Sequence, residues 1–478
     1  MENIPASLRF YVSQIANVQK VRVKLQSLNQ TSIGSSGASQ LRCALPVSSV
    51  LNMNSLAFHA RFESESPYGE SAAGAANAIY ALCPRMGLQS CIERIQWSAG
   101  GISLSSGETP YHLIANMKTD ICESSDKYMT DTRVLNNATI SPWKNNAAGN
   151  PLADTKRGQR RDLILTDMLG WTNGKPEMRD ASLFPEQFVE ITAAGSHVLP
   201  VQGQGKGLGD FINMSTTAAQ RFNTNFTGNG CNYTLSQCYF SIETLSIGSG
   251  LYDGVTEALL EQRGSLDVPF KTFVSVSSPS SSPGASVRGA VSTICLDKLY
   301  ATMLNNARPP DSANVPGAND VQYYPYNLQQ PPRPCPDSTT YGFTHVTACR
   351  DGQGVKDWQF RVNSAPSPMY SISGGVESFM MTQAGEDRQY VKNAGGLVSS
   401  VDMFNKNCFA ATVSYALTNS HRSLDGMNLQ SINSQIEFNS TEDTEAPAGQ
   451  RAARQVYLVA ECTSLARVGM SRALAIVK

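Results

Sequence analysis

Hydrophobic and polar residues alternate along many short stretches of the chain. In residues 56–63 every second residue is apolar, beginning with Leu56 and Phe58, and the intervening positions include His59 and Arg61. Successive side chains of a β-strand point to opposite faces, so this period of two predicts a strand with one buried and one solvated face.

Ten further stretches carry the same signal or are rich in β-branched and aromatic residues, and most are bounded by Gly, Asn, Ser or Pro. They are residues 21–26, 41–47, 91–97, 188–192, 239–247, 268–276, 358–362, 409–415, 432–438 and 456–460. Many short antiparallel strands predict an all-β fold built from sandwiches.

Helical signals are few. Thr109 and Pro110 form an N-cap and first-turn pair that predicts a helix through Met117. A second helix is predicted over 253–263, where Gly264 provides a C-terminal stop, and it would connect two β-domains. A weaker third signal covers residues 214–222.

Two segments share an order of residues that indicates an internal repeat. Residues 37–51 and 284–296 both begin Gly-Ala-Ser and continue with an apolar residue, Arg and Ala, and each follows a predicted strand and a Ser-rich turn. We therefore predict a tandem duplication of a domain of roughly 220 residues. The predicted divisions are 1–250 as a first β-domain, 251–264 as a connecting helix and 265–478 as a second β-domain, and a family resemblance of the chain implies that both β-domains are jelly rolls.

The composition of the chain limits the kinds of molecule that we expect it to bind. The chain has 38 Lys and Arg residues against 39 Asp and Glu, and only 16% of residues are charged, so net charge does not indicate a nucleic-acid coat. No stretch reaches the roughly 18 apolar residues of a membrane span. The first residues lack the basic-then-apolar order of a secretory signal, so we expect a soluble protein that folds in the cytosol.

The search for reactive chemistry predicts no catalytic, cofactor-binding or metal-binding residue. None of the histidines has a second ligand at metal spacing; they are His59, His112, His197, His345 and His421. A Gly-x-Ser-x-Gly motif is absent, and the Gly-rich segment 203–210 lacks the Ser or Thr that follows the lysine of a phosphate-binding loop. The eleven scattered cysteines predict free buried thiols, with Cys231 and Cys238 close enough to form one local disulfide.

Charged clusters allow two interpretations. Residues 156–161, with Lys156, Arg157, Arg160 and Arg161, could contact nucleic acid, an acidic membrane or an import receptor, but a solvated strand start paired with Asp154 and Asp162 is favoured. A set of carboxylates is expected to lie mostly in solvated loops: Glu377, Glu386, Asp387, Glu437, Glu442, Asp443 and Glu445.

Each half also contains long insertions, at 64–76 and 124–162 in the first half and at 305–349 in the second. The last is rich in Pro and Tyr. It suits either a polyproline ligand for a partner domain or, as we favour, an ordered excursion whose prolines reduce the entropy lost on folding.

Short stretches in 29–58 and 457–469 resemble the first and last strands of double jelly-roll major capsid proteins of polinton-like viruses, virophages and large DNA viruses. The resemblance implies a homotrimer whose six jelly rolls form a pseudo-hexagonal capsomer in an icosahedral shell, within a virion assembled inside the host cell. The resemblance implies that each copy of the chain contacts other copies, penton and minor capsid proteins, and an inner membrane or the genome. It implies no enzyme activity, cofactor or small-molecule substrate.

Two other classes stay open from sequence. A two-domain lectin or adhesin would present similar loops to a glycan, but it would normally carry a signal peptide. A β-sandwich carbohydrate hydrolase needs two facing carboxylates and a tryptophan-lined cleft. The four tryptophans are dispersed along the chain, at Trp97, Trp143, Trp171 and Trp358.

Overall fold

The structure of the protein is a computed structural model, and the statements below concern the residues that it describes. These are residues 18–35, 40–47, 49–65, 79–81, 83–84, 86–105, 110–122, 160–166, 168–173, 178–195, 198–199, 201–203, 232–247, 251–305, 343–345, 350–386, 401, 404–405, 408–416, 424–430, 434–446, 451, 453–469 and 473–477.

The elements before residue 250 are mostly strands. They are β1 (Val18–Gln26), β2 (Ile33–Gly34), β3 (Gln40–Ala44), β4 (Val50–Glu65), β5 (Ile79–Ala81), β6 (Ile92–Ala99), β7 (Ile102–Ser105), α1 (Tyr111–Cys122), β8 (Arg160–Leu165), β9 (Met178–Asp180), β10 (Gln187–Ala193), β11 (Val201–Gly203) and β12 (Asn232–Ile247), with short 3-10 turns at Gly87–Cys91, Trp171–Asn173 and Ala181–Leu183.

The elements after residue 250 repeat this composition. They are α2 (Leu251–Arg263), β13 (Ser265–Ser280), β14 (Ala285–Ala290), β15 (Leu296–Asn305), β16 (Phe343–His345), β17 (Val355–Val362), β18 (Ala365–Ser373), α3 (Gly374–Gly385), β19 (Ala411–Ser414), β20 (Gln435–Glu442), β21 (Arg454–Gly469) and β22 (Leu474–Val477).

The strand order in the sheets identifies the fold. In the first half one antiparallel sheet has the order β1-β12-β4-β8 and the facing sheet has the order β3-β10-β6-β7. When these eight strands are lettered B to I along the chain, the sheets have the orders B-I-D-G and C-H-E-F, which is the pattern of a jelly roll.

The second half repeats that order strand for strand. Its sheets run β13-β21-β15-β19 and β14-β20-β17-β18, again B-I-D-G and C-H-E-F. The chain is therefore all-β, with two jelly rolls in tandem. The two segments aligned in the sequence contain β3 and β14, which are strand C of each jelly roll, so the repeat is confirmed at equivalent positions.

The alternating sequence pattern explains why these strands form. Along β10 buried and half-buried residues alternate from Gln187 to Ala193. The apolar side of β4 faces the sandwich interior, where Phe58 lies with its ring centroid 5.0 Å from that of Phe240 on β12. Such aromatic contacts between neighbouring strands add to the stabilisation from burial of the rings.

Every predicted strand overlaps an observed one, although the bounds differ: several observed strands extend further, whereas β3 and β19 are shorter than the predicted stretches. The predicted strand 56–63 lies within β4, and 456–460 lies within β21. Of the predicted helices, the first corresponds to α1 and the second to α2. Residues 214–222 lie outside the described residues. Helix α3 was missed because Gly374 and Gly375 at its start are poor helix formers.

The two jelly rolls share part of their core. Phe270 and Val459 of the second half belong to the same apolar cluster as the buried residues of the first half. The ring of Trp171 meets that of Phe270 edge to face at 5.0 Å. A small three-stranded sheet also crosses between the halves, because β11 pairs with both β5 and β16.

The strands before α2 form two of the four large sheets, and the strands after α2 form the other two. This agrees with the division into 1–250, 251–264 and 265–478, which stays a prediction. Within the described residues, no helix combines the length and the apolar character needed to cross a bilayer.

Candidate functional site

Helix α1 lies between strands F and G of the first jelly roll and extends into the contact with the second. It packs against β6 and the 3-10 turn at Gly87–Cys91. Its residues Tyr111, Ile114, Met117 and Ile121 are buried. A helix that is buried on several sides packs against more than one neighbour. The polar residues of α1 show that its other neighbour is the second jelly roll.

Lys118 of α1 joins the two halves. Its Nζ donates to Oε2 of Glu461 on β21 at 2.5 Å and lies 3.3 Å from the hydroxyl of Tyr300 on β15. The ammonium is also 5.4 Å from the centre of the Phe273 ring, a cation–π distance. One lysine side chain therefore contacts strands B, D and I of the second jelly roll.

A group of charged and hydroxyl side chains continues from this contact. The Tyr300 hydroxyl lies 2.5 Å from Oε1 of Glu386 and 2.8 Å from Oε2 of Glu461, and Nζ of Lys298 donates to Oε2 of Glu386 at 2.8 Å. We call Lys118, Lys298, Tyr300, Glu386 and Glu461 the interdomain network. The single hydroxyl hydrogen of Tyr300 serves one carboxylate at a time. The two lysines balance the charge of the two carboxylates.

The surroundings keep these groups ionised. Burial by itself raises the pKa of Glu461, but the positive charges of Lys118, Lys271 and Lys298 outweigh that effect and hold the pKa well below its ordinary value. For Lys298, burial lowers the pKa, and the carboxylates of Glu386 and Glu461 more than offset it, so the pKa is raised.

A second buried group lies beside the interdomain network. Nζ of Lys271 on β13 lies 3.0 Å from Oδ2 of Asp297 and donates to the Thr463 hydroxyl at 2.9 Å, and that hydroxyl donates to Oδ2 of Asp297 at 2.7 Å. The three residues hydrogen-bond to one another, and all of them belong to the second jelly roll.

Two buried arginines of the second half pair with aspartates at or beside this contact. Nη2 of Arg350 lies 2.5 Å from Oδ2 of Asp120, two residues beyond Lys118 on α1. Next to it, Nη2 of Arg454 lies 3.3 Å from Oδ2 of Asp351. All four side chains are buried. Breaking such a pair leaves an uncompensated buried charge, which is costly.

This arrangement holds the two jelly rolls together through buried ion pairs. Each lysine of the interdomain network faces a carboxylate, and the depressed pKa of Glu461 keeps it from acting as a general acid near neutral pH. Among the described residues, no group of three or more His, Cys, Asp and Glu side chains is arranged to hold a metal ion.

The histidines are dispersed. His59 stacks on Tyr239 with ring centroids 4.5 Å apart, and burial, followed by the charges of Arg22 and Lys24, lowers its pKa. His112 is buried on α1, with Nδ1 3.4 Å from Oε2 of Glu93. His345 lies on β16, whereas His197 and His421 lie outside the described residues.

The cysteines agree with the prediction of buried thiols. The free, buried cysteines are Cys43, Cys83, Cys91, Cys238, Cys295, Cys408 and Cys462. The Cys238 thiol donates to the carbonyl oxygen of Leu235 at 3.3 Å. Cys231 lies outside the described residues.

The basic cluster is described only from Arg160 onward. Nε of Arg160 lies 2.7 Å from Oε1 of Glu63, and Asp162 receives a hydrogen bond from Arg61 at 2.8 Å. Arg161 is buried on β8. Arg160 is therefore ion-paired at the start of β8, but its partner is Glu63 and not Asp162, which pairs with Arg61 of another strand. The predicted partner Asp154 lies outside the described residues. Of the Gly-rich segment, the structure describes only residue 203, at the end of β11.

The expectation of solvated carboxylates was wrong for Glu386, which is buried in the interdomain network. Glu437 lies on β20, not in a loop, and pairs with Arg288 at 3.2 Å. Sequence analysis also missed Lys118 and Asp120. Their only local signal is two opposite charges near the end of a helix whose other residues are uncharged or apolar.

Three tryptophans serve the core and line no cleft. Trp97, Trp171 and Trp358 are buried. The indole of Trp171 donates to Oε1 of Gln187 at 3.1 Å, and that of Trp358 donates to the hydroxyl of Ser378 at 2.8 Å. Trp143 lies outside the described residues.

Comparison with known proteins gives matches at the level of structure. Neither a protein-family model nor a curated protein matches the sequence. The Faustovirus major capsid protein aligns over 94% of this chain and 90% of its own length, with 9% identity and a TM-score of 0.54. A chain of the PBCV-1 virus capsid aligns over 97% of both chains, with 10% identity and a TM-score of 0.51.

A third structure, VP54 of PBCV-1 fitted into a reconstruction of the virophage Sputnik, aligns over 97% of both chains, with 11% identity and a TM-score of 0.52. At these identities the comparisons establish the fold. The resemblance seen in the sequence is thereby confirmed as a likeness of fold over nearly the whole chain.

Proposed function

We propose that this chain, which shares its double jelly-roll fold with viral major capsid proteins, is itself a major capsid protein that forms homotrimers. The observation that carries the proposal is the repetition of B-I-D-G and C-H-E-F in both halves. Three copies of such a chain contain six similar blocks, which can close into a pseudo-hexagonal capsomer that tiles an icosahedral shell.

The contact between the two halves supports a role as a rigid building block. The shared apolar core, the interdomain network and the pair of Asp120 with Arg350 fix one jelly roll against the other. A shell subunit needs such a fixed relation, because its outer edges must meet several neighbours in a reproducible geometry. The proposed role is structural and requires no enzyme activity or cofactor.

The strand order also assigns the long insertions. Residues 64–76 run from the end of strand D into the D–E connection, and 124–162 run through the F–G connection into the start of strand G of the first jelly roll. Residues 305–349 begin at the last residue of strand D of the second jelly roll and continue into its D–E connection. We place these connections on the outer face of the shell. Most of residues 305–349 lie outside the described residues, so this placement rests on the order of the strands.

The proposed partners are neighbouring capsomers, penton and minor capsid proteins, and an inner membrane or the genome on the inner side. The proposed location is the virion, after assembly inside the host cell. Brief proteolysis of intact particles tests the orientation. We expect cleavage within 305–349 before cleavage in β1 or β21, and the reverse order would contradict the outer placement.

The mass of the purified full-length chain tests the central proposal. We expect light scattering to give three copies per particle and negative-stain electron microscopy to show pseudo-hexagonal blocks. A monomer that persists at capsid-like protein concentrations would overturn the homotrimer. Hydrolysis of a glycan that is abolished by one carboxylate substitution would instead favour the enzyme alternative.

A further inference from the structure

An apolar patch is exposed on the second jelly roll. Met369 and Tyr370 of strand β18 are 92% and 56% exposed, and Val376 and Met380 of helix α3 are 61% and 65% exposed. Strand β18 is the edge strand of its sheet, and α3 packs against it. Large apolar side chains exposed on two elements that pack against each other commonly mark a protein interface.

Helix α3 buries small and polar residues and exposes an apolar stripe. Its inner side carries Ser378, which accepts a hydrogen bond from Trp358, and Phe379 packs against Phe404. Val376 and Met380, four residues apart, form the apolar stripe on the outer side. Large apolar side chains on the outer side of a helix are typical of a surface that a partner covers.

The internal duplication identifies what covers the outer side. Helix α1 occupies the F–G connection of the first jelly roll, and α3 occupies the same connection of the second. Helix α1 is buried because it docks on the outer face of the B-I-D-G sheet of the next jelly roll, at Phe273, Tyr300 and Glu461. Among the described residues, no third jelly roll covers α3 in the same way.

The equivalent receiving face exists on the first jelly roll. The outer face of its B-I-D-G sheet carries the stacked rings of His59 and Tyr239, with Nζ of Lys24 3.9 Å from the centre of the Tyr239 ring. Aromatic rings and lysine stems suit methionine side chains, because thioethers make favourable contacts with rings. The contact made by α1 inside one chain would thus continue from one copy to the next.

We infer that the patch of Met369, Tyr370, Val376 and Met380 docks on the outer B-I-D-G face of the first jelly roll in a second copy of this chain. The contact is head to tail, and such a contact forms a closed ring of three copies when each repeat rotates by a third of a turn. This inference rests on the proposed homotrimer and adds the surfaces that build it.

A double variant, Val376→Asp with Met380→Asp, tests the patch in the full-length chain. Both residues are exposed, so the isolated copy should unfold at nearly the wild-type temperature. Sedimentation should show at least about a tenfold weaker trimer, because charges would be buried in the contact. The matched control is Leu424→Asp, an exposed residue of the second jelly roll outside the patch, which should leave the trimer unchanged.

Photo-crosslinking identifies the occupant. A benzophenone amino acid replacing Met380 should, in mixed isotope-labelled and unlabelled trimers, crosslink to β4 or β12 of a different copy. Crosslinks to the second jelly roll of another copy, or within one copy, would overturn the inference. So would a double variant that trimerises normally. A wild-type chain that fails to trimerise would instead overturn the proposed function.

Discussion

Asp120 and Arg350 are 230 residues apart in the sequence, and their side chains form an ion pair across the contact between the two jelly rolls. Oδ2 of Asp120 lies 2.5 Å from Nη2 of Arg350, and the two side chains are only 2% and 3% exposed. Asp120 lies near the end of α1, and the backbone of Arg350 pairs with both Leu304 and Cys408. The ion pair therefore ties the F–G connection of one domain to the backbone framework of the other.

We predict strong coupling between these two residues in a double-mutant cycle. Asp120→Ala should lower the free energy of unfolding by about 3 kcal/mol or more, because it leaves the Arg350 guanidinium buried beside no carboxylate. Adding Arg350→Ala should cost much less than the same change in the wild-type chain. Urea denaturation of the four proteins measures the coupling.

The matched control is the cross-strand pair of Asp267 with Arg467, whose Nε lies 2.8 Å from Oδ1 of the aspartate. These side chains are partly exposed, so solvent screens their attraction and their coupling should be much smaller. Equal coupling in the two cycles would show that burial of the Asp120 pair contributes nothing.

Glu461→Gln should change how stability depends on pH. The folded-state pKa of Glu461 is lowered from 4.5, chiefly by Lys118 among its neighbouring charges, against the opposing effect of burial. A carboxyl with a depressed folded-state pKa stabilises the protein above its unfolded-state pKa, and this contribution is lost as the pH falls towards the folded-state value.

The variant should therefore be less stable than wild type at pH 7, by about 3 kcal/mol. The difference should shrink as the pH falls below about 4.5. Urea titrations at pH 7, 5, 4 and 3 measure it, and Glu437→Gln on β20 serves as a control at a more accessible ion pair. A difference that stays constant down to pH 3 would contradict the depressed pKa.

The strands could be predicted from sequence because their signal is local. The alternation in 56–63 depends only on adjacent residues, and it lies within β4. The duplication was also visible, since residues 37–51 and 284–296 contain strand C of each half. Helix α3 gave no such signal, because it begins with two glycines and its polar residues Ser378 and Thr382 lie on the buried side.

The interdomain network could not be predicted for a different reason. Lys118 and Glu461 are 343 residues apart, and no local pattern marks them as partners. Glu386 follows α3 in a segment whose polar residues indicate solvent, yet the fold brings it to Tyr300. Single-sequence patterns predict which face of an element is buried, but the partners of a buried charge depend on tertiary packing.

Replacing Gly34 by Ala should destabilise the first jelly roll. A Cβ atom at this position on β2 would lie 2.6 Å from the carbonyl oxygen of Tyr233, a backbone atom held in β12. Relieving the clash requires the two strands to separate, which we expect to cost about 1–3 kcal/mol in urea denaturation. Gly469→Ala is the control, because the nearest atom to its added Cβ is 3.8 Å away. Equal stabilities of the two variants would contradict this close approach.

The buried cysteines should resist alkylation in the folded protein. Burial raises the pKa of Cys43 to about 11 and those of Cys83, Cys238 and Cys462 to about 12. Alkylation proceeds through the thiolate, which at pH 8 would be at most about a thousandth of such a population. Iodoacetamide at pH 8 should therefore leave these four residues unmodified in native protein and label them in urea, as mass spectrometry of the peptides can measure. Rapid labelling of Cys238 in the native state would contradict its burial beside Leu235, and labelling of Cys462 would show that strand β21 opens readily.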